Sequence, residues 1–190
     1  MGKPLLGFIG QGYIGKNYSD DLENRGFTVV RYALEEPYVK NKEKIKDCDI
    51  VFIAVPTPTT PNGFDDSIVR GAVDLVGKGK TVVIKSTVLP GTTESIQALH
   101  PNKTILFSPE FLLEATAAHD AAYPIMNIIG IPGDSAVFRT QAERVMAVLP
   151  KSPHTQICSA REAELFKYAH NVHGVFRILF ANFMYDLSNA

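Results

Sequence analysis

The stretch Leu5-Leu6-Gly7-Phe8-Ile9-Gly10-Gln11-Gly12-Tyr13-Ile14-Gly15 decides the fold. Leu5–Ile9 reads as a strand, Tyr13–Arg25 as a helix closed by Gly26, and a G-x-G-x-x-G pattern joins them. In that setting Gly10 makes the tight turn, Gly12 lets the backbone approach a pyrophosphate, and Gly15 lets helix and strand pack closely. The helix N-terminus then binds the anion, with Gln11, Tyr13 and Ile14 completing the loop. The alternative is a glycine turn that only connects a strand to a helix.

Working outward, β-rich runs alternate with helical patterns to the end of the chain, the signature of βα units feeding a parallel sheet. Further strands are expected at Thr28–Tyr32, Ile50–Val55, Thr81–Lys85, Thr104–Phe107, Asn127–Ile131 and Thr155–Cys158. Helices are expected at Ser67–Val76, Thr93–Leu99, Ser135–Leu149 and from about Arg161 onward. The run Ile50–Val55 is apolar on both alternating faces, as a central strand covered on both sides must be. The fold class is α/β: a Rossmann-like, doubly wound, mostly parallel sheet over residues 1–160, followed by the start of a long central helix over 161–190.

The 190 residues, 45% of them hydrophobic, suffice for one domain with a real core. Nineteen Lys and Arg against twenty Asp and Glu leave a net charge of −1 without a basic stripe, so neither a nucleic acid nor a membrane surface is an expected partner. The longest apolar run is far short of the ~20 residues that span a bilayer. The N-terminus lacks the hydroxyl of a myristoylation signal, and glycines break its apolar stretch too early for a signal peptide. Two cysteines, Cys48 and Cys158, form neither a metal nor a redox spacing, so a cytoplasmic protein with reduced thiols is expected.

The last helix carries Phe166, Ala169, Val172, Phe176, Leu179, Phe180, Phe183 and Leu187, an apolar surface too wide for a helix with one face in water. It lacks a terminal glycine cap or proline at Asn189-Ala190, so truncation inside the helix is expected, with a second domain or a second subunit covering the stripe. A homodimer through this helix is the partner reading. At the end of the second strand, the place of the acidic residue that holds an adenosine ribose falls on Ala33, with Glu35 and Glu36 just beyond. NAD is the cofactor expected, while Arg31 leaves NADP open.

Four segments carry a family likeness: Asp49-Ile-Val-Phe-Ile-Ala-Val-Pro-Thr-Pro58, Lys85-Ser-Thr-Val-Leu-Pro-Gly-Thr-Thr93, Phe107-Ser-Pro-Glu-Phe-Leu-Leu-Glu114 and Ala163-Glu-Leu-Phe-Lys-Tyr-Ala-His-Asn171. In order and separation they resemble the UDP-glucose/GDP-mannose dehydrogenase family. The resemblance implies a four-electron oxidation of a nucleotide-sugar C6 alcohol to a carboxylate, with two NAD+ and a cysteine thiohemiacetal and thioester. It implies that Val55, Pro56 and Thr57 line the nicotinamide end and that Thr87 holds a water or the substrate oxygen. Glu110 resembles the glutamate that assists thioester hydrolysis, Glu114 the one beside the nicotinamide and the active-site water. Lys167 and Asn171 resemble the pair that stabilises the oxyanion.

Physical chemistry supports several of these roles independently. Lys167 and Asn171 are four apart on a helix, so they share a face and can converge on one oxygen. A solvent-facing lysine with a surface asparagine is the alternative. Glu110 stands at the carboxyl end of a strand, the edge where open α/β sheets bind ligands, either as a general base or as a first-turn helix cap. Thr87 closes a strand too, where it or Ser86 could instead satisfy the turn through Pro90-Gly91. His170 and His173 lack a third ligand, so no metal is expected.

Two departures qualify the resemblance. Ala33–Cys48 replaces an extra helix and strand of the family, which shortens the adenine-side wall. The family's catalytic cysteine, in a Gly-Gly-x-Cys-type loop of a later domain, has no counterpart between Met1 and Ala190, so the chain is expected to be the NAD-binding portion of the enzyme and inactive alone. A β-hydroxyacid dehydrogenase-like fragment and a non-catalytic dinucleotide-binding or interaction module are the other readings.

Overall fold

The computed structural model describes residues 2–189; the expectation about the helix end at Ala190 lies outside them. In chain order it contains β1 (Leu6–Ile9), α1 (Tyr13–Asn24), β2 (Val29–Tyr32), a 3-10 segment (Val39–Asp47), β3 (Ile50–Ile53), the small hairpin β4 (Thr59–Thr60) and β5 (Gly63–Phe64), and α2 (Ser67–Asp74). There follow β6 (Thr81–Ile84), α3 (Thr92–Leu99), β7 (Thr104–Phe107), a 3-10 turn (Glu114–Thr116), α4 (Ala117–Ala122), β8 (Met126–Ile131), α5 (Ala136–Val148), β9 (His154–Ser159) and α6 (Ala160–Ser188). Each strand and helix expected from the sequence forms, with ends displaced by a residue or two.

The seven-stranded sheet runs β2-β1-β3-β6-β7-β8-β9. All its neighbours are parallel except β7 and β8, which meet antiparallel at Phe107 and Gly130. The alternation of β3 explains the apolar run that placed it mid-sheet. Ile50 and Phe52 join Leu6, Phe8, Val83 and Leu106 beneath Tyr18 and Leu22 of α1 and Val145 of α5. Val51 and Ile53 join Ile9, Val82, Ile84 and Phe107 beneath Val69 and Val73 of α2 and Ile96 of α3. With both faces covered, each of these strands needs apolar side chains on both.

Strand order reverses between β1 and β3, and the crevice outside their carboxyl ends is where such a sheet binds ligands. The Ala33–Cys48 segment folds as 3-10 turns that bury Ile45 in the core. That one anchor attaches the segment to the core.

The last helix starts on a capping box: Glu162 N–H donates to Ser159 Oγ (3.2 Å) and Ser159 N–H to Glu162 Oε2 (3.0 Å). Its first turn lies directly on β8, where a Cβ at Gly130 would meet Ala160 Cα at 2.7 Å. Beyond Lys167 the helix leaves the sheet, and Val172, Phe176, Leu179, Phe180, Phe183 and Leu187 are exposed, as the width of the stripe predicted. Among the described residues no helix is long and apolar enough to cross a membrane.

Candidate functional site

The glycine loop separates packing demands from ligand demands. Gly10 has φ +89°, and a Cβ there would fall 2.1 Å from Ala54 O at the end of β3. A Cβ at Gly15 would fall 1.8 Å from Gly10 O. Both positions are therefore glycine because this chain leaves no room. A Cβ at Gly12 would meet nothing within 4 Å, so packing does not require glycine there and the space above the start of α1 is open. That helix start has no side-chain cap and no acidic residue in its first turn, which leaves its N–H donors for an anion. The loop fits a dinucleotide pyrophosphate on these grounds.

The loops after β3 and β6 form the adjoining wall. Val55 N–H donates to Ser86 Oγ (2.9 Å), and that hydroxyl donates to Val55 O (2.8 Å). Thr57 Oγ1 donates to Thr87 O (2.8 Å). Ser86 thus ties its loop to Val55, and neither its hydroxyl nor that of Thr87 satisfies the turn through Pro90-Gly91, whose Gly91 N–H goes to Glu164. The half-buried Thr87 hydroxyl makes no hydrogen bond among the described residues and is available to a ligand, next to the exposed Pro56.

Across the crevice, Lys167 Nζ lies 2.8 Å from Glu110 Oε1 and donates to Glu110 O at 2.6 Å. Glu110 Oε2 accepts from Leu112 N (2.9 Å), so this carboxylate also braces its own irregular turn; it caps no helix, the next helical segment starting only at Glu114. Tyr13 of the glycine loop donates its hydroxyl to Leu112 O (2.8 Å), linking the two loops. Burial, followed by the nearby Glu110 and Glu114, raises the Tyr13 phenol. Asn171 is exposed and has no hydrogen-bond partner among the described residues, so helical spacing put it on the Lys167 side without bringing the two together. Glu114 is exposed in its 3-10 turn. His170 packs edgewise on Phe111, ring centroids 5.1 Å apart, and no metal-holding group of three or more His, Cys, Asp or Glu occurs among the described residues.

Sequence reasoning missed Lys85. It stands just past β6, fully buried, with Nζ 3.3 Å from both Ser108 O and Ser108 Oγ and 4.3 Å from the centre of the Tyr18 ring. Burial pushes its ammonium down to about 7, against the pull of Glu110 and with the push of Lys167. The available signal was a charged residue ending an otherwise apolar central strand.

At the adenosine end, Ala33 follows β2 and supplies no carboxylate. Arg31 is engaged by Asp20 (2.7 Å) and Glu23 (2.6 Å), which raise its pKa. It is committed to the protein rather than to a 2′-phosphate. Glu35 and Glu36 are exposed, and Glu36 pairs with Lys40 at 3.6 Å.

Comparison with known proteins now adds to the geometry. Residues 36–148 match the UDP-glucose/GDP-mannose dehydrogenase family, NAD binding domain. A putative UDP-glucose 6-dehydrogenase, YtcA, of Bacillus subtilis is 32% identical over 167 residues, covering 78% of this chain and 37% of that protein. The UDP-glucose 6-dehydrogenase AglM of Haloferax volcanii is 26% identical, covering 97% of this chain and 54% of that protein. The solved UDP-glucose dehydrogenase of the hyperthermophilic archaeon Pyrobaculum islandicum superposes with a TM-score of 0.81 at 27% identity, covering 96% of this chain and 52% of that one. The chain spans about half the length of these relatives or less. The glycine loop precedes the matched segment, so its assignment stands on the geometry above.

Proposed function

The chain belongs to the UDP-glucose/GDP-mannose dehydrogenase family, whose NAD-binding domain it carries, and from that premise we propose that it is the cofactor-holding portion of a nucleotide-sugar 6-dehydrogenase of the UDP-glucose to UDP-glucuronate type. The observation that carries the reading is the buried Lys167–Glu110 pair at the carboxyl edge of the sheet, across the crevice from the glycine loop. A charged cluster held out of water at a ligand-binding edge, rather than at the surface, is the expected setting for transition-state electrostatics.

Bound NAD supplies the hydride acceptor. The chain's own part begins with Gly12 and the start of α1, which seat the pyrophosphate, while Val55, Pro56, Thr57 and Thr87 bound the nicotinamide end. The free Thr87 hydroxyl holds a water or the substrate oxygen. Lys167 directs positive charge at the carbonyl oxygen on which negative charge develops as water adds to the thioester. Glu110, its counter-ion, takes up the proton of that water, and the C–S bond breaks to release the cysteine thiolate. Asn171, exposed one turn beyond Lys167, adds an amide donor to that carbonyl oxygen when substrate is bound, and Glu114 stands beside the nicotinamide and the active-site water.

Neither thiol suits a nucleophile. Cys48 is buried at the opposite edge of the sheet, where burial pushes it up to about 11, and burial with Glu162 raises Cys158. The reading therefore draws its cysteine from outside these residues, which the greater length of the relatives supports. It takes residues 1–160 as the cofactor domain and α6 as the connecting helix, its apolar stripe joining two copies in the cytoplasm.

Titration of this chain with NADH, followed by fluorescence and calorimetry, is expected to show saturable binding. With UDP-glucose and NAD+ it is expected to form no NADH. Absence of NADH binding overturns the cofactor reading, and sustained turnover overturns the placement of the nucleophile.

A further inference from the structure

α3 has no cap of its own. Gly91 stands at its N-cap with φ +96°, and a serine or aspartate there would have been the ordinary local acceptor for the first-turn N–H groups. The acceptor comes instead from α6. Glu164, fully buried, takes Gly91 N–H on Oε2 (2.6 Å) and both Thr93 N–H (2.8 Å) and Thr93 Oγ1–H (2.6 Å) on Oε1. Burying a carboxylate is costly unless it is fully bonded, so this is an expensive way to cap a helix of eight residues.

Its position explains the expense. One turn before Glu164, Arg161 pairs with Glu94 of α3 at 2.6 Å. One turn after it, Lys167 meets Glu110. The loop between β6 and α3 is thus tied at both ends: by Ser86 to Val55 near its start and by Glu164 to α6 at its finish. Thr87, with its free hydroxyl, lies between the two ties.

We propose that Glu164 is a positioning residue that locks the Thr87 loop in register with Lys167, so that the two walls of the crevice move as one body. The inference rests on the reading of Thr87 and Lys167 as site residues. The Glu164 carboxylate bonds to neither: its three hydrogen bonds go to Gly91 and Thr93.

The test uses Glu164→Gln in this chain with three readouts: hydrogen exchange at Gly91 and Thr93, the NADH dissociation constant, and the rate at which Lys167 is acetylated, read by peptide mass. Glutamine keeps the shape but turns an N–H donor toward another donor, so exchange is expected to quicken about tenfold. NADH binding is expected to weaken several-fold and Lys167 labelling to quicken several-fold with it. Faster exchange with unchanged NADH affinity and unchanged Lys167 labelling overturns the proposal and leaves Glu164 a helix cap only; unchanged exchange overturns it as well. Should the variant not fold, Thr93→Val decides, since it removes one donor of three: the same readouts move together in smaller measure, and Thr93→Ser restores them. A parent chain that binds no NADH counts against the cofactor reading instead, and Lys167 labelling then settles the present one.

Discussion

Lys167 holds both the carboxylate and the main-chain oxygen of Glu110, at 2.8 and 2.6 Å, across fifty-seven residues of sequence. One ammonium thereby fixes the turn after β7 to α6, and the second carboxylate oxygen is held by Leu112 N–H. The pair is a joint of the fold as well as a candidate for chemistry.

Removing either partner strands the other as a buried charge, which costs about 3–5 kcal/mol, whereas removing both leaves no stranded charge. Lys167→Met and Glu110→Gln should each lower stability by about 3 kcal/mol, and the double variant by clearly less than their sum. Urea unfolding of the four proteins measures this. Strict additivity would mean that the two side chains do not depend on each other.

The exposed rings of Phe176, Phe180 and Phe183 on α6 bear on assembly. A dimer through this face buries each ring twice, at ~1.5–3 kcal/mol per side chain. Phe180→Asp should therefore weaken self-association at least about a hundredfold. Sedimentation velocity over a wide concentration range checks it, and a parent that stays monomeric throughout removes the homodimer from the reading.

How much of this was legible beforehand differs by the kind of signal. β3 was readable because the apolar run Ile50–Val55 that contains it leaves no other place than mid-sheet, and Gly10–Gly15 because strand, glycines and helix occur in one short stretch. The 3-10 turns of Val39–Asp47 were not, since their single buried residue, Ile45, gives no period to detect. Glu110 and Lys167 were found as site candidates from local pattern and family likeness, but their mutual ion pair depends on a tertiary contact that spacing along one helix cannot register. The same spacing paired Lys167 with Asn171, which the structure leaves in solvent. Lys85 escaped because the one local signal, a charge ending an apolar strand, does not tell a lysine that ends a strand in water from one that ends it beneath a tyrosine ring.

The glycine loop makes opposite predictions at neighbouring positions. Gly15→Ala forces a Cβ onto Gly10 O and should cost ~3 kcal/mol or more of stability. Gly12→Ala meets no protein atom and should leave the melting temperature within about two degrees, while NADH binding falls about tenfold or more because the methyl occupies the pyrophosphate space. Thermal melts and NADH titration of the two variants separate these effects. Full NADH affinity in Gly12→Ala would place the dinucleotide elsewhere.

Lys85 gives the fold a pH dependence of definite sign. Its ammonium, facing Ser108, the Tyr18 ring and, at longer range, Glu110 and Lys167, loses its proton at about 7 in the folded chain and near 10.4 when unfolded. Between those values the unfolded state binds more protons, so this group's contribution to stability rises with pH. The cost of burying the charge is complete below about pH 7 and fades as the pH climbs toward 10. Lys85→Met removes the charge and keeps most of the volume, so it should stabilise the protein by about 1–3 kcal/mol at pH 6 and by progressively less at pH 7.5 and 9. Comparing urea midpoints of parent and variant at the three pH values cancels the titrating groups that do not interact with Lys85. A difference that stays constant over that range would show that Lys85 keeps its proton in the folded chain, and that Glu110 and Lys167 sit beside a second permanent cation.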